Sequence, residues 1–176
     1  GSHGIDSECF PATIKNCRDL GGAVMECIPD IKEEVQPPGE LQNYTQTDKT
    51  QYSDWVKNLT DAANATGVPN NTYVPGTYDC DDFSDDMERN LTSLGYNATY
   101  TIYWWNNGAS GHVVTDVHGP NGTLIFIEPQ TGKVVDLDFD GDGNVETMTN
   151  EHKNTFTPTD DNRQIEVFDD AASAGA

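Results

Sequence analysis

Apolar residues recur at helical spacing in two parts of the chain. The first stripe consists of Tyr52, Val56, Leu59 and Ala63. Positions three or four apart lie on one face of an α-helix, so this stripe predicts an amphipathic helix of about four turns that begins near Asp48. Turn-forming residues at 67–70 end the helix.

The second helical stripe consists of Phe83, Met87, Leu91 and Leu94. It predicts a helix over residues 78–94 whose remaining surface is acidic or polar. Thr77 or Asp79 is suited to cap its N-terminus, and Gly95 supplies a C-terminal stop. Cys80 then lies in the first turn of this helix.

After Gly95 the apolar period changes from helical spacing to two. Such alternation is typical of β-strands with one buried face. Turns rich in Gly and Asn separate the alternating segments, which predicts an antiparallel sheet. The predicted strands cover residues 96–105, 111–118, 123–127, 134–138 and 164–168.

The length of 176 residues fits one compact domain with irregular ends. Residues 1–3 look like the remnant of a purification tag and have no expected part in the fold. Residues 4–46 keep no sustained period and predict an N-terminal extension of loops with one short helix near residues 14–20. The folded domain is expected over 47–168, followed by a disordered tail over 169–176.

The chain carries 30 acidic and nine basic side chains, a formal net charge of -21. This negative charge disfavours nucleic acid and anionic membrane surfaces as partners. The acids are spread along the chain and predict a solvated surface that suits either high-salt surroundings or a very soluble secreted domain. No apolar run approaches the length that inserts into a bilayer.

Several Asn-x-Ser/Thr triplets favour a glycosylated protein in the extracellular space or at the cell surface. They begin at Asn43, Asn58, Asn64, Asn70, Asn90, Asn97 and Asn121. A composition rich in Asn and Thr also produces such triplets by chance, which accounts for some of them.

Of the four cysteines, Cys9, Cys17 and Cys27 lie near the N-terminus, whereas Cys80 stands alone. In an exported protein two of the first three would form a disulfide and leave one over, while pairing all four would consume Cys80. The spacings match no zinc ribbon or finger, so a structural metal is not expected there.

Cys80, His112 and Glu128 are candidate catalytic residues. A cysteine at a helix N-terminus has its thiolate stabilised by the helix dipole and by free backbone N–H groups. His112 begins a predicted strand and Glu128 ends the next one, so a hairpin would bring both toward that helix end. Taken singly, such a cysteine is more often buried or disulfide-bonded, and such a histidine is more often a satisfied strand residue.

The segment Cys80-Asp-Asp-Phe-Ser, with the apolar stripe after it, resembles the nucleophile helix of transglutaminase-like cysteine peptidases and transglutaminase core domains. The segment His112-Val-Val-Thr-Asp-Val resembles the strand that the family's catalytic histidine opens. Glu128-Pro129 stands where the family has an acidic residue, usually Asp, followed by Pro. The resemblance covers roughly residues 49–138, and its specificity lies in the order Cys, His, acid.

This resemblance implies an α+β papain-like domain in which the nucleophile helix packs on a twisted antiparallel sheet. It implies Cys80 as nucleophile, His112 as base and Glu128 as the orienting carboxylate. Asp116, in the same strand as His112, is the alternative orienter.

Three further side chains are candidates for the cleft. Trp104 or Trp105 would wall it, although paired aromatics at a strand end are more often core and rim. Gln51 is a guess for the side-chain donor of an oxyanion hole whose other donor is the backbone N–H of Cys80.

Two acidic groups are candidates for binding cations. Asp79, Asp81 and Asp82 crowd Cys80 and oppose a thiolate unless they point to solvent; otherwise they would suit a basic substrate or a cation. Thr149 stands where a calcium loop has its bidentate Glu, so a loop site after the fourth predicted strand would be weak, and Asp-Gly turns also arise without metal. Its ligand candidates are Asp138, Asp140, Asp142, Asn144 and Glu146.

These features favour a cysteine-dependent acyl-transfer enzyme that hydrolyses a peptide or carboxamide bond in a protein or peptide substrate, with no required cofactor and at most a structural calcium ion. A lysine amine in place of water would give a cross-linking transglutaminase. The alternative is a non-catalytic, calcium-binding surface or adhesion module, which has no use for a free, reactive Cys80. A cell-wall amidase of the NlpC type would have a polar residue such as His in place of Glu128.

Overall fold

The computed structural model describes residues 17–21, 24–27, 31–33, 45–105, 110–120, 124–137 and 164–175. The strands of this part are β1 (Cys17–Gly21), β2 (Val24–Cys27), β3 (Ile31–Glu33), β4 (Ala98–Trp105), β5 (Ser110–His118), β6 (Leu124–Glu128), β7 (Lys133–Leu137) and β8 (Gln164–Phe168). Its α-helices are α1 (Gln46–Ala65) and α2 (Cys80–Ser93). The expected α+β class is confirmed at this level.

Six of the strands form one antiparallel sheet in the order β3-β7-β6-β5-β4-β8. Strands that follow one another from β4 to β7 are neighbours, as expected for hairpins joined by short turns. β1 and β2 form a separate antiparallel hairpin, in which Cys17 lies opposite Cys27. The predicted strands from β4 onward are confirmed with boundaries shifted by one or two residues.

Both helices pack on the same face of the sheet. The buried residues of this core are Tyr52, Leu59, Ala63, Val68, Phe83, Met87, Leu91, Ala98, Val117, Ile125, Ile127 and Val134. They include most of both predicted stripes, which confirms the two amphipathic helices. Val56 is only partly buried against this core, and Leu94 lies outside it, because α2 ends at Ser93 and the Leu94 side chain is 59% exposed.

Gly95 ends α2 through its backbone conformation. Its φ is 95°, in the left-handed region that glycine adopts without steric cost. The N–H of Tyr96 donates to the carbonyl of Leu91 at 3.0 Å, which satisfies a carbonyl of the last turn. Among the described residues, neither α-helix has both the length and the apolar character needed to cross a bilayer.

The predicted helix near residues 14–20 is wrong in its described part, since Cys17–Gly21 is a strand. The extension also contributes β3, whose residues Ile31–Glu33 pair with β7 in the main sheet. A strand this short carries no periodic signal. Its pairing depends on the open edge of β7, which cannot be recognised from the residues of β3 themselves.

The predicted disordered tail is wrong for residues 169–175. Ala171 is buried, and a 3-10 turn covers Ala172–Ala174. Asp170 Oδ1 accepts hydrogen bonds from the backbone N–H and the hydroxyl of Ser173, each at 2.8 Å. Small side chains allow this segment to pack closely against the sheet, so a composition that suggested disorder serves packing instead.

Candidate active site

The start of α2 is fixed by the residues around Cys80. Asp79 and Asp82 form a capping box, in which the backbone N–H of Asp79 donates to Asp82 Oδ2 at 3.1 Å. The N–H of Gly76 donates to Asp79 Oδ2 at 2.8 Å and holds the preceding turn against the helix. Cys80 is therefore the first residue of α2 and lies in its first turn, as the sequence predicts.

The first turns of α2 lie against β5 at Val113. The hydroxyl of Ser84, one turn after Cys80, donates to the backbone carbonyl of Val113 at 2.9 Å in a buried setting. Cys80 belongs to a buried cluster with Tyr100, Ile102, Val113 and Ala171. The helix N-terminus and the beginning of β5 thus occupy the same end of the sheet.

His112 and Glu128 form a buried hydrogen-bonded pair between His112 Nε2 and Glu128 Oε2. The turn after β6 holds the carboxylate, because the N–H of Gln130 donates to Glu128 Oε1 at 3.2 Å and the N–H of Gly132 donates to the Glu128 carbonyl at 2.8 Å. Asp116, the alternative orienter, lies four residues along β5, about 13 Å away at strand rise. The structure therefore brings the predicted histidine to Glu128.

The second ring nitrogen of His112 has no hydrogen-bond partner among the described residues, although the side chain is fully buried. A carboxylate on Nε2 favours the tautomer in which that nitrogen carries the proton and Nδ1 is an acceptor. An imidazole oriented in this way has one nitrogen held and the other open to exchange a proton with a nucleophile.

Cys80 is disulfide-bonded and 1% exposed. The chain has four cysteines, so its partner is one of Cys9, Cys17 and Cys27. A disulfide sulfur carries no thiolate and cannot act as the attacking nucleophile. In this state the structure brings together two of the three predicted catalytic side chains, His112 and Glu128, and the sulfur of the third is held in a disulfide.

The aspartates around Cys80 do not point to solvent. Asp79 and Asp81 are fully buried, and Asp82 is half-buried. One carboxylate oxygen from each lies within 4.8 Å of the others, so the group could hold a cation. Burial favours the neutral form of Asp82, but hydrogen bonds, including the one from the Asp79 backbone, hold the pKa of this carboxyl below its ordinary value.

Trp104 borders the site through a close contact that sequence reasoning missed. It lies opposite Gly111, and a Cβ added at Gly111 would come within 2.8 Å of its ring. The indole Nε1–H donates to Glu166 Oε1 at 3.0 Å. Gly111 was the sequence signal for this contact, because a glycine inside a strand often marks a place where another group packs closely on the backbone.

Of the remaining predicted site residues, Gln51 is described and is exposed on α1. The calcium-loop residues 138–146, Cys9 and the side chain of Trp105 lie outside the described residues.

No protein-family model matches the chain, and no curated protein matches it. Among solved structures, a lectin from Polyporus squamosus, determined with a human-type influenza-binding epitope, is similar at 15% identity and a TM-score of 0.38. The match covers 53% of this chain and 36% of the lectin chain. A similarity this distant supports neither a fold assignment nor a functional one.

Proposed function

We propose that this chain is a papain-like, transglutaminase-like cysteine hydrolase, with reduced Cys80 as nucleophile, His112 as base and Glu128 as orienting carboxylate. The observation that carries the proposal is the buried His112–Glu128 hydrogen bond, which leaves Nδ1 without a hydrogen-bond partner among the described residues.

The proposed reaction uses side chains of the chain itself. His112 Nδ1 accepts the thiol proton as the Cys80 sulfur attacks the carbonyl carbon of a peptide or carboxamide bond. The imidazolium then protonates the leaving amine, and the acyl group remains on Cys80 as a thioester. Water attacks the thioester carbonyl and gives a proton to Nδ1; the C–S bond breaks, the carboxylic acid product leaves, and the imidazolium returns the proton to the Cys80 thiolate. Glu128 holds Nε2–H and stabilises the imidazolium.

The chain's surface supports an extracellular location and a polypeptide substrate. The net charge of -21 attracts basic segments of proteins and repels polyanions. The described sequon asparagines, namely Asn58, Asn64, Asn70, Asn90 and Asn97, are exposed and therefore accessible to glycosylation. If a lysine amine replaces water in the last step, the same site cross-links proteins.

The test is alkylation of the reduced protein with iodoacetamide across pH, with each labelled cysteine located by peptide mass mapping. We expect Cys80 to react at least tenfold faster near neutral pH than the other three cysteines in the same sample. His112→Ala should remove this advantage. His118→Ala is the matched control, because His118 lies on the same face of β5 but six residues away and half-exposed.

Reduced protein with fast Cys80 labelling should also release amine from a peptide or carboxamide library, and Cys80→Ser should abolish the release. Equal labelling of all four cysteines, with no effect of His112→Ala, contradicts the proposal.

A second candidate is the non-catalytic extracellular module, and the disulfide at Cys80 is the observation that favours it. In that case the bond serves only stability. Reduction would lower the midpoint of thermal unfolding, and Cys80 would label only in proportion to unfolding, whether or not His112 is present.

A further inference from the structure

We propose that Trp104 and Glu166 form a recognition site for an arginine side chain of a partner polypeptide. The two residues lie on the neighbouring strands β4 and β8, and the indole Nε1–H of Trp104 donates to Glu166 Oε1 at 3.0 Å. Both side chains are half-exposed, so a ligand can reach them. The inference goes beyond the proposed hydrolysis, because it needs neither a reactive Cys80 nor His112.

Trp104 is held in place by three contacts. Its ring lies so close to Gly111 that an added Cβ there would come within 2.8 Å of it. The indole also packs against the apolar cluster that contains Ile102 and Ala171, and its N–H is bonded to Glu166. A ring held in this way loses little conformational freedom when a ligand stacks on its exposed part. Indole is also the aromatic side chain that attracts cations most strongly.

Glu166 supplies a negative charge that no described group neutralises. The ion pairs of the described residues all involve other carboxylates. The indole N–H is a neutral donor, and within the described part of the chain Oε2 of Glu166 accepts no hydrogen bond. Lys133 on β7 lies four strands from β8, about 19 Å at the usual strand spacing. The carboxylate is therefore available to a cation from outside.

An aromatic ring and a carboxylate in one fixed unit fit a guanidinium group. A guanidinium is planar, so it stacks on an indole face while its edge donates to a carboxylate. A divalent cation needs several oxygen ligands, and this pair offers one carboxylate. An anion would be repelled by Glu166 and by the net charge of -21. Asp169 and Asp170 follow β8 directly and add to the attraction of a basic segment.

The test records the indole N–H signals of the full chain by two-dimensional NMR while acetyl-Gly-Arg-Gly-amide is added. Trp104→Phe identifies the Trp104 signal by its loss; if this variant does not fold, nuclear Overhauser contacts with Gly111 identify the signal instead. We expect the signal to move along a saturating curve with a Kd of about 1–10 mM, as for one stacked ion pair. The matched citrulline peptide is equally planar but uncharged, and should bind about tenfold more weakly.

Two variants that each remove one negative charge separate this site from the general acidity of the surface. Glu166→Gln keeps an oxygen that accepts from the indole N–H and should weaken binding of the arginine peptide about tenfold. Asp169→Asn removes an exposed charge close by in the chain and should weaken binding by less than about twofold. Circular dichroism checks that both variants are folded.

Four results would overturn the inference. They are a Trp104 signal that the arginine peptide leaves unchanged, equal binding of the arginine and citrulline peptides, equal losses in the two charge variants, and a response to glucose that matches the response to arginine. None of these measurements depends on catalysis. The recognition site can therefore fail while the proposed hydrolase stands, and the hydrolase can fail while the recognition site stands.

Discussion

The two faces of β5 bury different side chains. On one face Val113 and Val117 are buried in apolar clusters, and Val117 packs in the same core as both helices. On the other face His112 and Asp116 are equally buried but polar. Alternation along one strand thus places His112 and Asp116 on the face away from Val113 and Val117, although Thr115 is buried on the first face and Val114 on the second. The first face contributes to the apolar clusters, and the second contains the His112–Glu128 pair, whose buried polar groups need specific partners.

The helix-packed face should give the largest effect on stability. Met87→Ala removes a fully buried side chain from the core and should lower the free energy of unfolding by about 2–5 kcal/mol. Urea denaturation followed by circular dichroism measures the change. Leu94→Ala is the control, because that side chain is exposed and its loss should change stability by no more than about 0.5 kcal/mol. Similar losses in both variants would contradict the assignment of this core.

The turn after β6, which positions Glu128, should give the second-largest effect on stability. At Gly132, φ is +74° and an added Cβ would lie 2.7 Å from Asn64 Oδ1, so Gly132→Ala should cost about 2 kcal/mol. Gly76→Ala has a similar φ of +72° but nothing within 4 Å, and should cost about 1 kcal/mol. Thermal unfolding of the two variants isolates the contribution of the clash. Equal losses of stability would mean that the Asn64 side chain moves away from the added Cβ at no cost.

The polar face can be tested with a double-mutant cycle on His112→Gln and Glu128→Gln. Each single variant replaces the imidazole or the carboxylate of the buried pair by an amide, and we expect a coupling of about 1 kcal/mol in the free energy of unfolding. In reduced protein, Glu128→Gln should also slow Cys80 alkylation about tenfold. A coupling near zero, with unchanged alkylation, would show that the His112–Glu128 pair contributes neither to stability nor to the reactivity of Cys80.

The smallest expected effect is a gain in stability when Glu88 is replaced. Burial is the main cause that raises the pKa of Glu88, with repulsion from Asp170 and Asp85 adding to it. A carboxyl whose folded pKa is raised contributes stability below its unfolded pKa and loses that contribution as pH rises through the folded value. Glu88→Gln should therefore stabilise the protein by about 0.5 kcal/mol at pH 7 and by nothing near pH 3. Melting curves at both pH values measure this difference, and an equal gain at both would contradict the electrostatic cause.

Sequence reasoning succeeded where the physical signal is local. The stripes of α1 and α2 are set by burial against one sheet face, and Glu128 could be paired with His112 because both lie at the ends of adjacent hairpin strands. It failed where the outcome depends on distant partners. The three residues of β3 depend on an edge far along the chain, Ala171 depends on the cluster around Cys80, and the pairing of Cys80 requires knowing which sulfur approaches it.

Trp104 is an intrinsic fluorescent probe of the candidate site. Its indole covers Gly111, next to His112, and is hydrogen-bonded to Glu166 of the neighbouring strand. Indole emission responds to the polarity and hydrogen bonding around the ring, so displacement at the start of β5 should change its wavelength. Opening of the disulfide or arrival of a substrate could then be followed in real time without a label, using Trp104→Phe to identify the signal.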